Sequence, residues 1–174
     1  MKKGLLILLC LPMIGFGQTS KITKCLIGNC YNEYSKAEIL FSIPTVEGIT
    51  KIQGTYYGGF LFGKLNGQGK AELENGTIYE GRWIDGQRDG FGIYNYSYVD
   101  SYEGQLKNNM FHGKGTYTWA NGDKYDGNYE NDKKHGFGIA IIGGNTYKGY
   151  WSKGEPNGKF TIISRNGSTS TEVF

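Results

Sequence analysis

The chain has 174 residues, 29 of them glycine, an aromatic fraction of 15 % and a formal net charge of +3. Glycine costs about 1 kcal/mol per helical site relative to alanine, and 23 of the 29 glycines fall between residues 58 and 167, which disfavours a helical fold there. A nucleic-acid binder needs a basic stripe to displace counterions from phosphates, and no cluster here exceeds Lys133 and Lys134 beside His135.

Residues 1–17, MKKGLLILLCLPMIGFG, place Lys2 and Lys3 before an apolar run that ends at small residues. This is the pattern of a secretory signal peptide, cleaved before Gln18. A retained membrane anchor is the alternative, but the run is shorter than the roughly 20 residues that span a bilayer and Pro12 interrupts it. Lipoprotein cleavage at Cys10 is disfavoured by Leu9, which stands where a small residue is needed. Without the leader, 17 Lys+Arg face 16 Asp+Glu, a net charge of +1 that weakens an electrostatic case for anionic lipid.

Two cysteines remain, Cys25 and Cys30 in CLIGNC. In an oxidising compartment a local disulfide is the simplest reading; a metal site with two further ligands and a pair of free thiols are the alternatives. Residues 18–55 read as an N-terminal cap. Glu33 and Ser35 stand where a worn half-repeat would carry its paired glycines, and a strand over 39–43 is expected to break at Pro44.

From Tyr56 the chain repeats. Copies begin at Tyr56, Tyr79, Tyr102, Tyr125 and Tyr147, at intervals of 23, 23, 23 and 22 residues, a period that signals a solenoid or array. Residues 79–92, YEGRWIDGQRDGFG, show the grid best: with Tyr79 as position zero, Gly81, Gly86, Gly90 and Gly92 follow at plus two, seven, eleven and thirteen. The plus-two glycine is Gly58, Gly81, Gly104, Gly127 and Gly149; plus four is Phe60, Trp83, Leu106, Tyr129 and Trp151. Asn109 and Asp132 replace two plus-seven glycines and tolerate left-handed backbone. Phe160 replaces the last plus-thirteen glycine.

In a strand, plus zero, two and four share one face. Each repeat therefore presents an aromatic face and a mostly polar one, as with Tyr79, Gly81 and Trp83 against Glu80, Arg82 and Ile84. The run from plus seven to plus eleven is expected to loop within the repeat. Asn75-Gly76, Asn121-Gly122 and Asn166-Gly167, together with Gly143-Gly144, are expected to make type I′ turns between strands, with Val99-Asp100 serving the second copy. The plus-two glycine offers bare backbone on which a ring from the adjoining strand can lie. The result is an all-β fold, an elongated single-layer antiparallel meander with two strands per repeat over residues 56–167 and a polar capping strand over 168–174.

The pattern Tyr-x-Gly-x-Trp-x-x-Gly-x-x-x-Gly-x-Gly resembles the MORN (membrane occupation and recognition nexus) repeat, in five tandem copies. The resemblance implies stacked hairpins with an aromatic-lined groove, acting as a protein-interaction or self-assembly module without catalysis. For some relatives it implies phospholipid binding. The leader is similar to that of exported bacterial members.

No enzyme site emerges. His112 and His135 share the plus-ten position but stand about 10 Å apart at the backbone, too far to share zinc. Ser152 and Asp132 have no triad spacing with either, and Glu72 with Glu74 reads as a solvated pair rather than acid and base. The segment GKLNGQGK lacks the spacing of a phosphate loop and the helix that must follow one. No cofactor or metal is expected. The candidate binding residues are Tyr56, Phe60, Tyr79, Trp83, Tyr102, Tyr125, Tyr129, Tyr147 and Trp151, chiefly core but partly open to a partner in the groove. The expected partner is another protein or a second copy, through groove and open edges. The alternatives are phospholipid, through a basic rim of Lys64, Arg88, Lys133 and Lys134, and cell-envelope carbohydrate stacked on exposed rings.

Overall fold

A computed structural model describes residues 19–45, 48–96 and 100–174; the leader over 1–17 lies outside them. Thirteen strands follow one another: β1 (Thr19–Ile27), β2 (Tyr34–Thr45), β3 (Gly48–Leu61), β4 (Lys64–Leu73), β5 (Ile78–Ile84), β6 (Gln87–Asn95) and β7 (Ser101–Lys107). Then come β8 (Met110–Thr118), β9 (Lys124–Glu130), β10 (Lys133–Ile142), β11 (Asn145–Ser152), β12 (Glu155–Ile163) and β13 (Thr169–Val173). They form one antiparallel sheet in sequence order, with no helix among the described residues. This is the meander expected from the repeat grid.

The turns are distributed differently from the expectation. Within each repeat the loop is only two residues long, at plus six and plus seven, with both residues left-handed: Asp85 at φ 51° and Gly86 at 82°, Asn108 at 50° and Asn109 at 70°. The pairs Ile84↔Gln87 and Lys107↔Met110 close these two turns, which are the type I′ hairpins. The run from plus seven to plus eleven is therefore mostly strand, not loop. The Asn-Gly links instead make three-residue turns in which glycine alone is left-handed. At the first of them Gly76 N–H donates to Leu73 C=O at 2.9 Å, Leu73 N–H donates to Thr77 C=O at 2.9 Å, and Asn75 Oδ1 accepts from Thr77 N–H at 3.1 Å. Gly143-Gly144 does form the expected I′ turn, φ 56° and 83°, between Ile142 and Asn145. Of the Val99-Asp100 link, Val99 lies outside the described residues.

Nine glycines form one row across the sheet from β3 to β11. Gly58 pairs with Gly69, Gly69 with Gly81, Gly81 with Gly92, and so on through Gly104, Gly115, Gly127, Gly138 and Gly149. Ser35 continues the row opposite Gly58. The ring over each hairpin's glycine pair comes from the plus-zero tyrosine of the same strand, not from the adjoining one: a Cβ on Gly81 or Gly92 would overlap Tyr79, and one on Gly104 or Gly115 would overlap Tyr102. Only in the last repeat does the ring cross from the neighbouring strand, where Phe160 lies on Gly149. That accounts for the lost plus-thirteen glycine.

The plus-eleven glycine makes a bulge. Gly81 pairs with Gly92 but Trp83 pairs with Arg88, so one residue of β5 opposes three of β6, and Gly90 sits among them at φ 88°. At each of these bulges the tyrosine hydroxyl donates to the plus-three carbonyl: Tyr79 to Arg82 at 3.1 Å, Tyr102 to Gln105 at 2.7 Å, Tyr125 to Asn128 at 3.0 Å. Tyrosine at plus zero thus serves as a ring over glycine and as a bond at the bulge.

One face is buried and the other open: along β5 and β7 exposed and buried side chains alternate. Burial on a single layer requires the sheet to coil. Phe41 of β2 stacks on Trp83 of β5 at 6.0 Å, and the Ser20 hydroxyl of β1 donates to Gly86 C=O at 3.1 Å. A flat sheet would hold β1 and β5 roughly 19 Å apart. The cap strands belong to this same sheet, and Cys25 and Cys30 are joined by a disulfide. Strand β2 runs through Pro44 to Thr45 instead of breaking there, with Pro44 opposite Ile49 near the strand's end.

Candidate interaction surfaces

All nine candidate rings lie in the core, none more than 7 % exposed. Within a repeat the plus-four ring stands edge-on to plus zero, as in Tyr79–Trp83 at 5.2 Å and Tyr125–Tyr129 at 5.2 Å. Between repeats the next plus-four ring meets the same tyrosine, as in Tyr56–Trp83 at 5.5 Å and Tyr125–Trp151 at 5.4 Å. Each such pair adds about 0.5–1.5 kcal/mol beyond its buried area. The groove expected to be partly open is filled by its own lining. Burial holds the hydroxyls of Tyr56, Tyr79, Tyr102 and Tyr125 well above their ordinary range, so they serve as hydrogen-bond donors and not as acids.

Two of the four residues expected to form a basic rim are buried. Arg88 is 4 % exposed and Lys134 8 %, both at plus nine, where the other repeats carry Leu65, Phe111 and Pro156. Arg88 donates through its backbone N–H and its Nε to Asn109 Oδ1, at 2.9 and 3.1 Å, and its guanidinium lies over Tyr94 at 5.2 Å. Burial pulls it down to about 10. Lys134 faces three rings, Trp151 at 4.7 Å, Tyr125 at 4.9 Å and Trp119 at 5.0 Å. Burial pulls this amine down to about 8 against the opposing pull of Glu155. Asp132 accepts from Phe111 N–H at 2.7 Å, and burial pushes its carboxyl up to about 7 despite that bond and Arg88. Lys64 remains exposed, 3.7 Å from Asp85.

What stays open is the outer face. Phe91 and Phe137 are 54 % and 47 % exposed, and Tyr150, opposite Phe137 in register, is 61 % exposed with its ring edge-on at 5.6 Å. Ile93 on β6 and Ile141 on β10 extend these two patches. Strands β6 and β10 lie four spacings apart, about 19 Å along the sheet, with exposed Glu103, Gln105, Lys114 and Asp126 between. The sequence carries a signal for these patches that the grid reading passed over. Plus twelve to plus fourteen reads Phe-Gly-Ile in the second and fourth copies, against Gln-Gly-Lys, Lys-Gly-Thr and Lys-Phe-Thr in the others.

The chemical candidates are not brought together. His135 Nδ1 lies 3.5 Å from Glu130, whereas His112 Nδ1 is buried without a hydrogen-bond partner among the described residues. Glu72 pairs with Lys70 at 2.5 Å. No group of three or more metal-ligating side chains occurs among the described residues.

A family model described as MORN repeat matches the chain five times, over residues 56–78, 79–97, 102–124, 125–141 and 147–169. No curated protein matches the chain.

Proposed function

Because the chain belongs to the MORN repeat family, whose repeats are generally associated with protein and membrane-lipid interaction, we propose that it is a non-catalytic, exported scaffold that binds protein through its outer face and open edges. The observation that supports this most is the exposure of Phe91, Phe137 and Tyr150 on a sheet whose other face is packed with its own rings. Large rings left in water beside isoleucine form the kind of patch that marks an interaction site. Export is part of the reading: the leader over 1–17 directs it, and the Cys25–Cys30 bridge persists in an oxidising compartment.

The test is in-cell photo-crosslinking from a photoreactive residue at position 137. A discrete adduct is expected, lost when Phe91 and Tyr150 are changed to serine while thermal stability is kept. Absence of any adduct from 137 would sink the reading. Retention of the purified protein on anionic vesicles at physiological salt would put phospholipid in the protein's place. Loss of the adduct to soluble glycan would do the same for carbohydrate.

A further inference from the structure

The two edges of the sheet are unlike. Strand β1 carries exposed Lys21 and Lys24, two register irregularities and the Cys25–Cys30 bridge, all features that discourage another strand from pairing. Strand β13 has none of these. Its sequence is TSTEV, without lysine, proline or bulge; all five side chains are exposed, and its described neighbour is β12 alone.

The hydrogen-bond pattern says which groups point outward. Phe174 and Gly158 exchange both bonds, N–H to C=O at 3.0 and 3.1 Å. In an antiparallel ladder such pairs alternate, so Glu172 and Ser170 bond inward to Phe160 and Ile162. The N–H and C=O groups of Thr169, Thr171 and Val173 then face away from β12.

From this we infer that β13 pairs antiparallel with β13 of a second copy, about a two-fold axis at Thr171. In that register Thr171 exchanges both bonds with its own counterpart, and Thr169 does so with Val173 on each side. Every outward group is satisfied. Each Glu172 faces Ser170 of the other copy instead of the other glutamate, whereas two β1 edges would bring lysines together. The pairing is self-complementary, as a two-fold contact must be. A five-residue strand pair is small beside the roughly 1,200–2,000 Å² of stable interfaces, so the dimer is weak and concentration-dependent. This deepens the scaffold reading and rests on it: the partner at this edge is the chain itself.

Sedimentation of the full chain over a concentration series up to about 1 mM should show a monomer–dimer equilibrium. T171P removes one outward N–H and no inward bond, a place where an edge strand accepts proline. It should weaken dimerisation at least tenfold with the thermal midpoint unchanged. A cysteine at 171 should be joined to its counterpart by a short bifunctional maleimide, and a cysteine at Lys21 should not. A chain monomeric throughout, a T171P variant that dimerises as the parent does, or crosslinking through position 21 would overturn the inference. A monomer that still captures a partner from position 137 would leave the scaffold reading standing and sink only the self-pairing.

Discussion

Replacing Gly104 with alanine tests the glycine row directly. The new Cβ would sit 2.5 Å from Gly115 Cα, 2.7 Å from Lys114 C=O and 2.6 Å from the Tyr102 hydroxyl. The ring could move only by breaking its 2.7 Å bond to Gln105 and its stacking on Phe111 at 3.6 Å. The backbone contacts remain even then, so β7 and β8 must separate. Overpacking of this kind costs about 1–3 kcal/mol, and loss of the hydroxyl bond adds about 1 kcal/mol. Gly122 supplies the comparison, since its Cβ would meet nothing within 4 Å and only its φ of 85° opposes alanine, a cost of roughly 1–2 kcal/mol. The mid-values differ by about 1.5 kcal/mol, so at about 2–4 °C per kcal/mol for a chain of this size thermal melts followed by circular dichroism should place G104A about 3–6 °C below G122A. Equal midpoints would refute the account of why these positions are glycine.

Two further predictions concern the buried charges. The Asp132 carboxyl, raised by burial to about 7 from 3.8, binds its proton more tightly in the folded chain. Parent stability should therefore fall as pH rises from about 4 towards 7, by up to about 1.4 kcal/mol per pH unit. D132N keeps the acceptor for Phe111 N–H, as Asn109 does for Arg88; urea titrations at several pH values should show it flatter over that window and more stable than the parent at pH 8. Lys134 is the opposite case, lowered to about 8 from 10.5, so its contribution should rise with pH between those values. K134M places an apolar side chain where other repeats carry leucine or phenylalanine, and should raise stability at pH 7 by about 1 kcal/mol. A lower melting midpoint for K134M would mean that the three surrounding rings hold the ammonium more strongly than its burial costs.

The repeat, its strands and its aromatic face were legible because each depends on spacing within one strand. Alternation puts Tyr79, Gly81 and Trp83 together whatever the sheet does next. The turns were harder. Asn-Gly is the strongest short signal for a type I′ hairpin, yet these turns fall on Asp85-Gly86 and Asn108-Asn109, where strand register demands two residues and plus six and plus seven both take the left-handed backbone. The bulge at Gly90 was invisible, since nothing in a single strand says that its partner runs one residue against three. Burial of Arg88 and Lys134 was missed for a related reason: charge argued for a rim, while the coil of the sheet carried plus nine inside. The nine rings were legible as core, but the extent to which they fill the groove depends on that same coil.

The coil also decides where recognition can occur. A sheet that rolls its tyrosines inward over a row of glycines seals that side completely enough to bury Tyr56, Tyr102 and Tyr125 to 0 % exposure, and it spreads the side chains of the outer side apart. Phe91 and Phe137 therefore stand as separate exposed rings, four strands apart in the order of the sheet, on a scaffold whose own hydrogen bonds hold their spacing. A partner that reaches both gains from effective concentration, because after the first contact the second is intramolecular. Self-pairing at β13 would repeat these anchors on a second copy. On the proposed scaffold reading the repeat separates its work by face: the inner rings hold the coil, and the outer Phe-Gly-Ile positions of the second and fourth copies are the places offered to a partner.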